Sequence, residues 1–350
     1  MIPASVHPGP GDHELLVRLT RLIESFRRPR IAVVGDLIAD EFIYGGIDRV
    51  SREAPVLILR YDSTEVTPGG AGNAAHNVAA LGGVARLVGL IGADEIGRRL
   101  ARSFPRQVVR AGLVKPAGYH TPTKTRILAG GIHSVRQQVV RIDREGPPVT
   151  RAMRAQVAEA AVVAVAGCDA VIVSDYGTGL VTPALVAALK RHLPKRGRRP
   201  AAPILLDSRY SLLKYRGLTI AAPNESEVEQ MLGITVGDDA RALERAGRGI
   251  LERTQMGAVL VTRGSRGMAL FESGRPTQHI SIYGTDEVAD VTGAGDTVIA
   301  TMAMALSVGA SVSEAALLAN YAGGLVVMKR GTATLTAHEL QHAVATDLQS

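Results

Sequence analysis

The chain has 350 residues, 46% of them hydrophobic and 21% charged, enough for one large domain or two small ones with a full core. No apolar run reaches the ~20 residues that span a bilayer, and MIPASVHPGPGDHELLVRLTRLIESF lacks the basic-then-apolar order of a secretory leader. The formal charge of +7 comes from scattered arginines, and with 3% aromatics and no tryptophan the chain offers few stacking platforms for nucleic acid. An anionic small molecule suits the charge as well. The lone Cys168 excludes an internal disulfide or a thiolate metal cluster and fits a reducing cytoplasm.

Residues 1–29 read as a tail, disordered over the first dozen, and a helix; residues 30–350 read as one main domain. IAVVG (Ile31–Gly35) is a buried strand. From about 40 to 66, and again over 123–143, polar and apolar residues alternate with turn glycines and no helical period. KTRILAGGIHSVRQQVVRID has the form of a hairpin turning at Gly130–Gly131. These two segments predict a small β-sheet inserted as a lid over the main domain. Between them, TPGGAGNAAHNVAALGG predicts a helix over Asn73–Leu81.

Further on, strands at Val171–Ser174, Ile204–Leu206 and Val259–Thr262 alternate with helices at Arg151–Ala166, Pro183–His192, Glu225–Leu232, Ala240–Glu252 and Gly295–Ser307. KRGRR (195–199) reads as a solvated loop between a helix and a strand. Alternation of this kind predicts an α/β fold: a doubly wound, mostly parallel sheet with helices on both faces.

Glycine in a helix costs about 1 kcal/mol relative to alanine, so the crowding at Gly69, Gly70 and Gly72 needs a reason. Glycines before a helix let a ligand approach the backbone, and Asn73 offers both a donor and an acceptor, which suits a polyol. Tight helix packing with Asn73 as an N-cap is the alternative. Asn77 has no role beyond a packing or helix–loop contact, and His76 reads as packed. A second stretch, DVTGAGDTV, sets Gly293, Ala294 and Gly295 before Asp296 at a helix start. Amides there form a hole for anionic charge, and a carboxylate beside it can take a proton as that charge develops. Phosphoryl transfer needs this pairing; a capped helix with an acidic first turn is the alternative.

Together, in this order and separation, the two stretches resemble the signatures of the ribokinase-like, PfkB-type sugar kinases, from about Arg30 to the C-terminus. Within that family GDLIADEFIYGGIDRVSREAPV, SDYGTGL and LLDSRYSLLKYRGLTIAAPNESEVE are similar to the heptose 7-phosphate kinases of ADP-heptose synthesis. The resemblance implies ATP and Mg2+ as cofactors, allows K+, and implies phosphorylation of the anomeric hydroxyl of D-glycero-D-manno-heptose 7-phosphate; a PfkB-type kinase for another sugar, sugar phosphate or nucleoside, and a non-catalytic sugar- or nucleotide-binding protein, are the alternatives. The fusion to an adenylyltransferase known in that group would carry an HxGH motif; none is found, so a free-standing kinase is expected.

The resemblance makes Asp296 the catalytic base, with Gly293, Ala294 and Gly295 as the anion hole. Asp36, Asp40, Gly69, Gly70 and Asn73 become sugar ligands, and Asp175 a substrate contact at a strand end with Tyr176. Lys124, Arg126, Arg136 and Arg141 are candidates for the substrate's own phosphate, Lys124 and Arg141 foremost, though strand alternation also places such side chains in solvent. Asn224, Thr262, Gly264, Gly267 and Asn320 fall to the nucleotide, and Glu227 to magnesium through water. Two departures stand out: Ser208-Arg209 where those kinases have Pro-Lys, and Arg52 where a proline is common. Histidines show no ligand spacing, so no structural metal is expected. Exposed edges and Val56, Leu57 and Ile58 in the lid predict a homodimer through it.

Overall fold

A computed structural model describes residues 13–130, 136–193, 201–284, 290–329 and 331–349. The first dozen residues, the 195–199 cluster and the Gly131 half of the expected turn lie outside the described residues.

Helix α1 (His13–Glu24) buries Leu16, Leu19, Leu22 and Ile23 along one stripe. The chain then enters β1 (Arg30–Gly35), buried from Ile31 onward. Two 14-residue strands follow, β2 (Leu37–Val50) and β3 (Leu57–Gly70), paired antiparallel. Strand β3 runs without a loop into α2 (Ala71–Ala80), which starts two residues before the sequence suggests. The reason is tertiary: Ala71 N donates to Asp36 O at 3.0 Å, and Gly70 takes φ 56 to allow it.

Next come β4 (Val84–Leu90), α3 (Glu95–Ser103), β5 (Val108–Val114), β6 (Thr123–Gly130) and β7 (Gln137–Arg144). Helix α4 (Arg151–Val165), β8 (Ala170–Asp175), α5 (Pro183–His192), β9 (Ile204–Ser208), β10 (Ile220–Ala221) and α6 (Glu225–Leu232) continue the alternation. The chain closes with α7 (Ala240–Thr254), β11 (Ala258–Thr262), β12 (Met268–Glu272), β13 (Gln278–Ile280), α8 (Ala294–Ser307), α9 (Val312–Val326) and α10 (Ala337–Gln349). Helices start where their caps dictate. Thr182 caps α5 with Pro183 in its first turn, and α6 opens on a reciprocal Asn224–Glu227 capping box.

The main sheet has nine strands in the order β13-β12-β11-β10-β9-β8-β1-β4-β5, parallel except for the β11–β12–β13 end. Its side chains alternate between two cores: Ile31 and Val33 pack with α1, α2, α8, α9 and α10, whereas Ala32 and Val34 pack with α4, α5 and α7. Strand order reverses beside β1, whose neighbours are β4 and β8, so the crevice opens at the carboxyl ends of β1 and β8. The lid is a second sheet, β3-β2-β6-β7, with β2 and β6 parallel. Its β6–β7 pair is the hairpin read from the sequence. Ile47, Val56, Leu57 and Tyr61 are exposed on the lid, while Ile58 is half-buried. Among the described residues no helix is long and apolar enough to cross a membrane.

Candidate functional site

Strand β1 ends at the crevice, and Asp36 follows it, almost fully buried. Its Oδ2 accepts from Tyr176 N at 2.8 Å and Thr178 N at 3.3 Å, and its Oδ1 accepts from the Thr178 hydroxyl at 2.5 Å. Burial pushes its pKa up to about 6, against these hydrogen bonds, which favour the ionised form. Asp36 thus organises the turn after β8. Asp40, in β2, forms a buried ion pair with Arg126 of β6. A side chain at Gly69 would run into the Asp40 carboxylate, and one at Gly70 would meet Asp36 O at 2.6 Å and the Tyr176 ring at 3.3 Å. Those glycines therefore make room for Asp40 and Tyr176. Asp175 is tied to Ser208 Oγ at 2.9 Å, the Tyr215 hydroxyl at 2.7 Å and Gly177 N at 3.1 Å, which links β8 to β9.

The second glycine-rich stretch delivers Asp296 to this same crevice. Gly293 caps α8 at φ 78, and Asp296 sits in the first turn, 2% exposed. Asn73 Nδ2 donates to Asp296 Oδ2 at 2.8 Å, joining α2 to α8, and the Tyr176 hydroxyl donates to Oδ1 at 3.3 Å. Burial pushes the Asp296 pKa up to about 7, opposed by the Asn73 bond and reinforced by Asp40. Ala294 N donates to Val291 O at 3.3 Å, so among the described residues the helix-start amides with no backbone acceptor are those of Gly295 and Asp296, and Ala294 leaves the expected anion hole. A Cβ on Gly295 would find no atom within 4 Å, which marks open space over the helix start.

In front of Tyr176 lies a cavity of about 540 Å³. Lys124, Arg141, Arg144 and Arg209 line it, against Asp143 and Glu145, so cations outnumber carboxylates. Tyr176 separates it from Asp296: the residue lines the cavity while its hydroxyl reaches the carboxylate behind. Lys124 Nζ stands 5.6 Å from the Tyr176 ring centroid, and burial lowers its pKa. Arg141 is forked onto Asp143 at 2.7 and 2.6 Å. Of the other lid cations, Arg126 is spent on Asp40 and Arg136 pairs with Asp62 at 2.9 Å. In the Ser208-Arg209 departure, Ser208 braces Asp175 and Arg209 lines the cavity.

At the start of α6, Asn224 and Glu227 exchange capping bonds of 2.9 Å each. Asn224 also bridges Thr262 at the ends of β10 and β11. Gly264 follows at φ 56 with open space around it, and Gly267 at φ 73 packs on the backbone after β13. Asn320, buried on α9, donates to Ser281 O at 2.8 Å. His76 lies half-buried on α2, as its alanine-rich surroundings suggest.

Sequence reasoning missed Arg144, Tyr210 and Asp207. Asp207 is the next-to-last residue of β9, and its pKa is held well above the usual carboxylate range by burial, with Asp296 and Glu227 adding to it. Its only sequence signal is a carboxylate at the end of the ILL strand, which is weak by itself.

The chain matches the pfkB family of carbohydrate kinases over residues 29–339. It is 37% identical over 331 residues to the bifunctional protein HldE of Gluconobacter oxydans, covering 93% of this chain and 67% of that protein. With the bifunctional protein HldE of Caulobacter vibrioides it shares 39% identity over 331 residues, covering 92% and 65%. The chain spans about two thirds of the length of these relatives. Among solved structures it is similar to Escherichia coli phosphofructokinase-2 in complex with potassium, with TM-score 0.71, 17% identity, and 92% and 99% of the two chains covered. Arabidopsis thaliana ribokinase complexed with ribose and ATP gives TM-score 0.65 at 21% identity, covering 92% and 99%. These two likenesses show a ribokinase-like fold.

Proposed function

The chain belongs to the pfkB family of carbohydrate kinases, a phosphotransferase acting on a sugar hydroxyl, and from that premise we propose that its substrate is D-glycero-D-manno-heptose 7-phosphate. ATP would donate its γ-phosphoryl group to the anomeric hydroxyl, giving the 1,7-bisphosphate in ADP-heptose synthesis. One observation carries the reading: a buried Asp296 at a helix start, separated by one tyrosine from a cavity richer in cations than carboxylates. A sugar that already bears a phosphate suits that cavity, and the HldE relatives favour a heptose.

In the proposed reaction the sugar oxygen attacks the γ-phosphorus, the bond to the ADP oxygen breaks, and the hydroxyl proton passes to Asp296. An aspartate with an ordinary pKa of about 3.9 would be a feeble acceptor. Burial brings Asp296 to about 7, near the value at which a general base is most effective. The Gly295 and Asp296 amides would face the charge gathering on the transferred group. Asn224, Thr262 and Gly264 would line the nucleotide side. Among the described residues no group of three or more His, Cys, Asp or Glu side chains is set to hold a metal. Glu227, with one oxygen engaged in its capping box, fits a magnesium ion held through water. That ion, bound with ATP, would neutralise charge on the phosphates. The exposed apolar residues of the lid support pairing of two lids in a homodimer.

The test is ADP release with Mg-ATP across a panel of heptose 7-phosphate, hexose phosphates, pentoses and nucleosides, with and without K+. The greatest kcat/KM should fall on the heptose 7-phosphate. Faster turnover of a pentose or nucleoside would refute the substrate assignment.

A further inference from the structure

Asn77 lies one turn beyond Asn73 on α2, fully buried, and the reaction above makes no use of it. Its Nδ2 donates to Asn73 O at 3.1 Å and to Asn73 Oδ1 at 3.2 Å, while its Oδ1 accepts from the Thr297 hydroxyl at 3.0 Å. A backbone carbonyl can only accept, so the contact with Asn73 O dictates which end of the Asn77 amide is the NH2. That NH2 then faces Asn73 Oδ1, which leaves Asn73 Nδ2 as the end turned to Asp296 Oδ2, 2.8 Å away, and, at a longer 3.4 Å, to Gly293 O. A reversed Asn73 amide would set oxygen against carboxylate and NH2 against NH2. Thr297 adjoins Asp296 on α8, so the four side chains form a closed polar bracket between two helices, with Asn73, Asn77 and Thr297 fully buried. Such a network, with each member satisfied, holds one arrangement.

We infer that Asn77, seated by Thr297, is a positioning residue for phosphoryl transfer: it locks the Asn73 amide with its N–H toward Asp296 and so keeps that carboxylate aimed and ionised. The inference rests on Asp296 being the base of the proposed kinase reaction. The groups around Asp296 make the lock matter. Asp40 from β2 and Asp207 from the end of β9 disfavour its charge, while Lys124 from β6 and the Tyr176 hydroxyl favour it. When the Asn73 donor is lost, burial and the neighbouring carboxylates prevail, and Asp296 takes up its proton at higher pH.

The experiment measures kcat/KM by ADP release from about pH 5.5 to about 9 for wild type, Asn77→Leu, Thr297→Val and Thr297→Ser, each with a thermal melt. In Asn77→Leu and Thr297→Val the acidic limb should move up by about half a pH unit or more, with the alkaline plateau held within about threefold. Thr297→Ser keeps the hydroxyl and should return the limb to its wild-type position. Should Asn77→Leu not fold, the Thr297→Val and Thr297→Ser pair decides. A plateau that falls at every pH with the limb unmoved would overturn the positioning role while leaving the kinase reading intact. A wild type that phosphorylates no sugar in the panel would sink both.

Discussion

Replacing Gly293 with alanine probes the junction of the two glycine-rich stretches. Gly293 holds φ 78 at the start of α8, and a Cβ there would overlap Asn73 Nδ2. Alanine in that left-handed conformation costs about 1–2 kcal/mol, which lowers the melting temperature by roughly 1.5–3 °C in a domain of this size. Asn73 has nowhere to retreat, because it is fully buried and Asn77 holds its amide oxygen at 3.2 Å. Its amide must swing out of the bond to Asp296. A hydrogen bond to a charged group contributes about 1.5–3 kcal/mol, so its loss raises the Asp296 pKa and kcat/KM on the acidic limb should fall roughly 10- to 150-fold. Gly295→Ala is the control: its Cβ would meet nothing within 4 Å. That variant should melt at or slightly above wild type, since alanine favours helix, yet turn over more slowly as its methyl fills the proposed phosphoryl site. Melts followed by circular dichroism and ADP-release kinetics give both readouts. A Gly293→Ala enzyme within about threefold of wild-type kcat/KM on the acidic limb and about 1 °C of its melting temperature would refute the reasoning.

Asp296→Asn should cut kcat by roughly 10²- to 10⁴-fold; an unchanged kcat would remove Asp296 from the chemistry. Because folding raises the Asp296 pKa from 3.8 to about 7, the unfolded chain releases this proton first, and the carboxylate's contribution to stability declines as pH rises through that window. The asparagine variant should therefore gain melting temperature on wild type from pH 4 to pH 7 and hold the gain above it. Arg126→Leu strands the buried Asp40 carboxylate and should cost about 3–5 kcal/mol in urea unfolding, much of it recovered by adding Asp40→Asn; no recovery would mean the pair is not the cause. Lys124→Ala should raise KM for a sugar phosphate about tenfold while sparing an unphosphorylated sugar, and equal losses on both would place Lys124 away from the phosphate.

Much of the fold is readable locally. Helices α5 and α6 begin and end where the sequence suggests, because Thr182-Pro183, the Asn224–Glu227 box and Gly233 act within a turn of the backbone they terminate. Strand β1 and the β6–β7 hairpin are legible from apolar runs and alternation. Less visible are the short antiparallel β12–β13 edge and the early start of α2. The first has little length to carry a period, and the second hangs on a bond from Ala71 to Asp36, far away in the chain.

For the site, the sequence by itself determined which residue types stand at the strand ends and helix starts: carboxylates at 36, 40, 175 and 296, and glycines at 69, 70 and 293. Tertiary structure alone decided what each one faces. Asp175 turns to Ser208 and Tyr215, Asp40 is claimed by Arg126, and the glycines clear space for Asp40, Tyr176 and Asn73. Asn77 looks inert in the sequence because its partner Thr297 lies 220 residues away. The basicity of Asp296 is likewise set by burial between α2, α8 and Tyr176, an environment that no local pattern encodes.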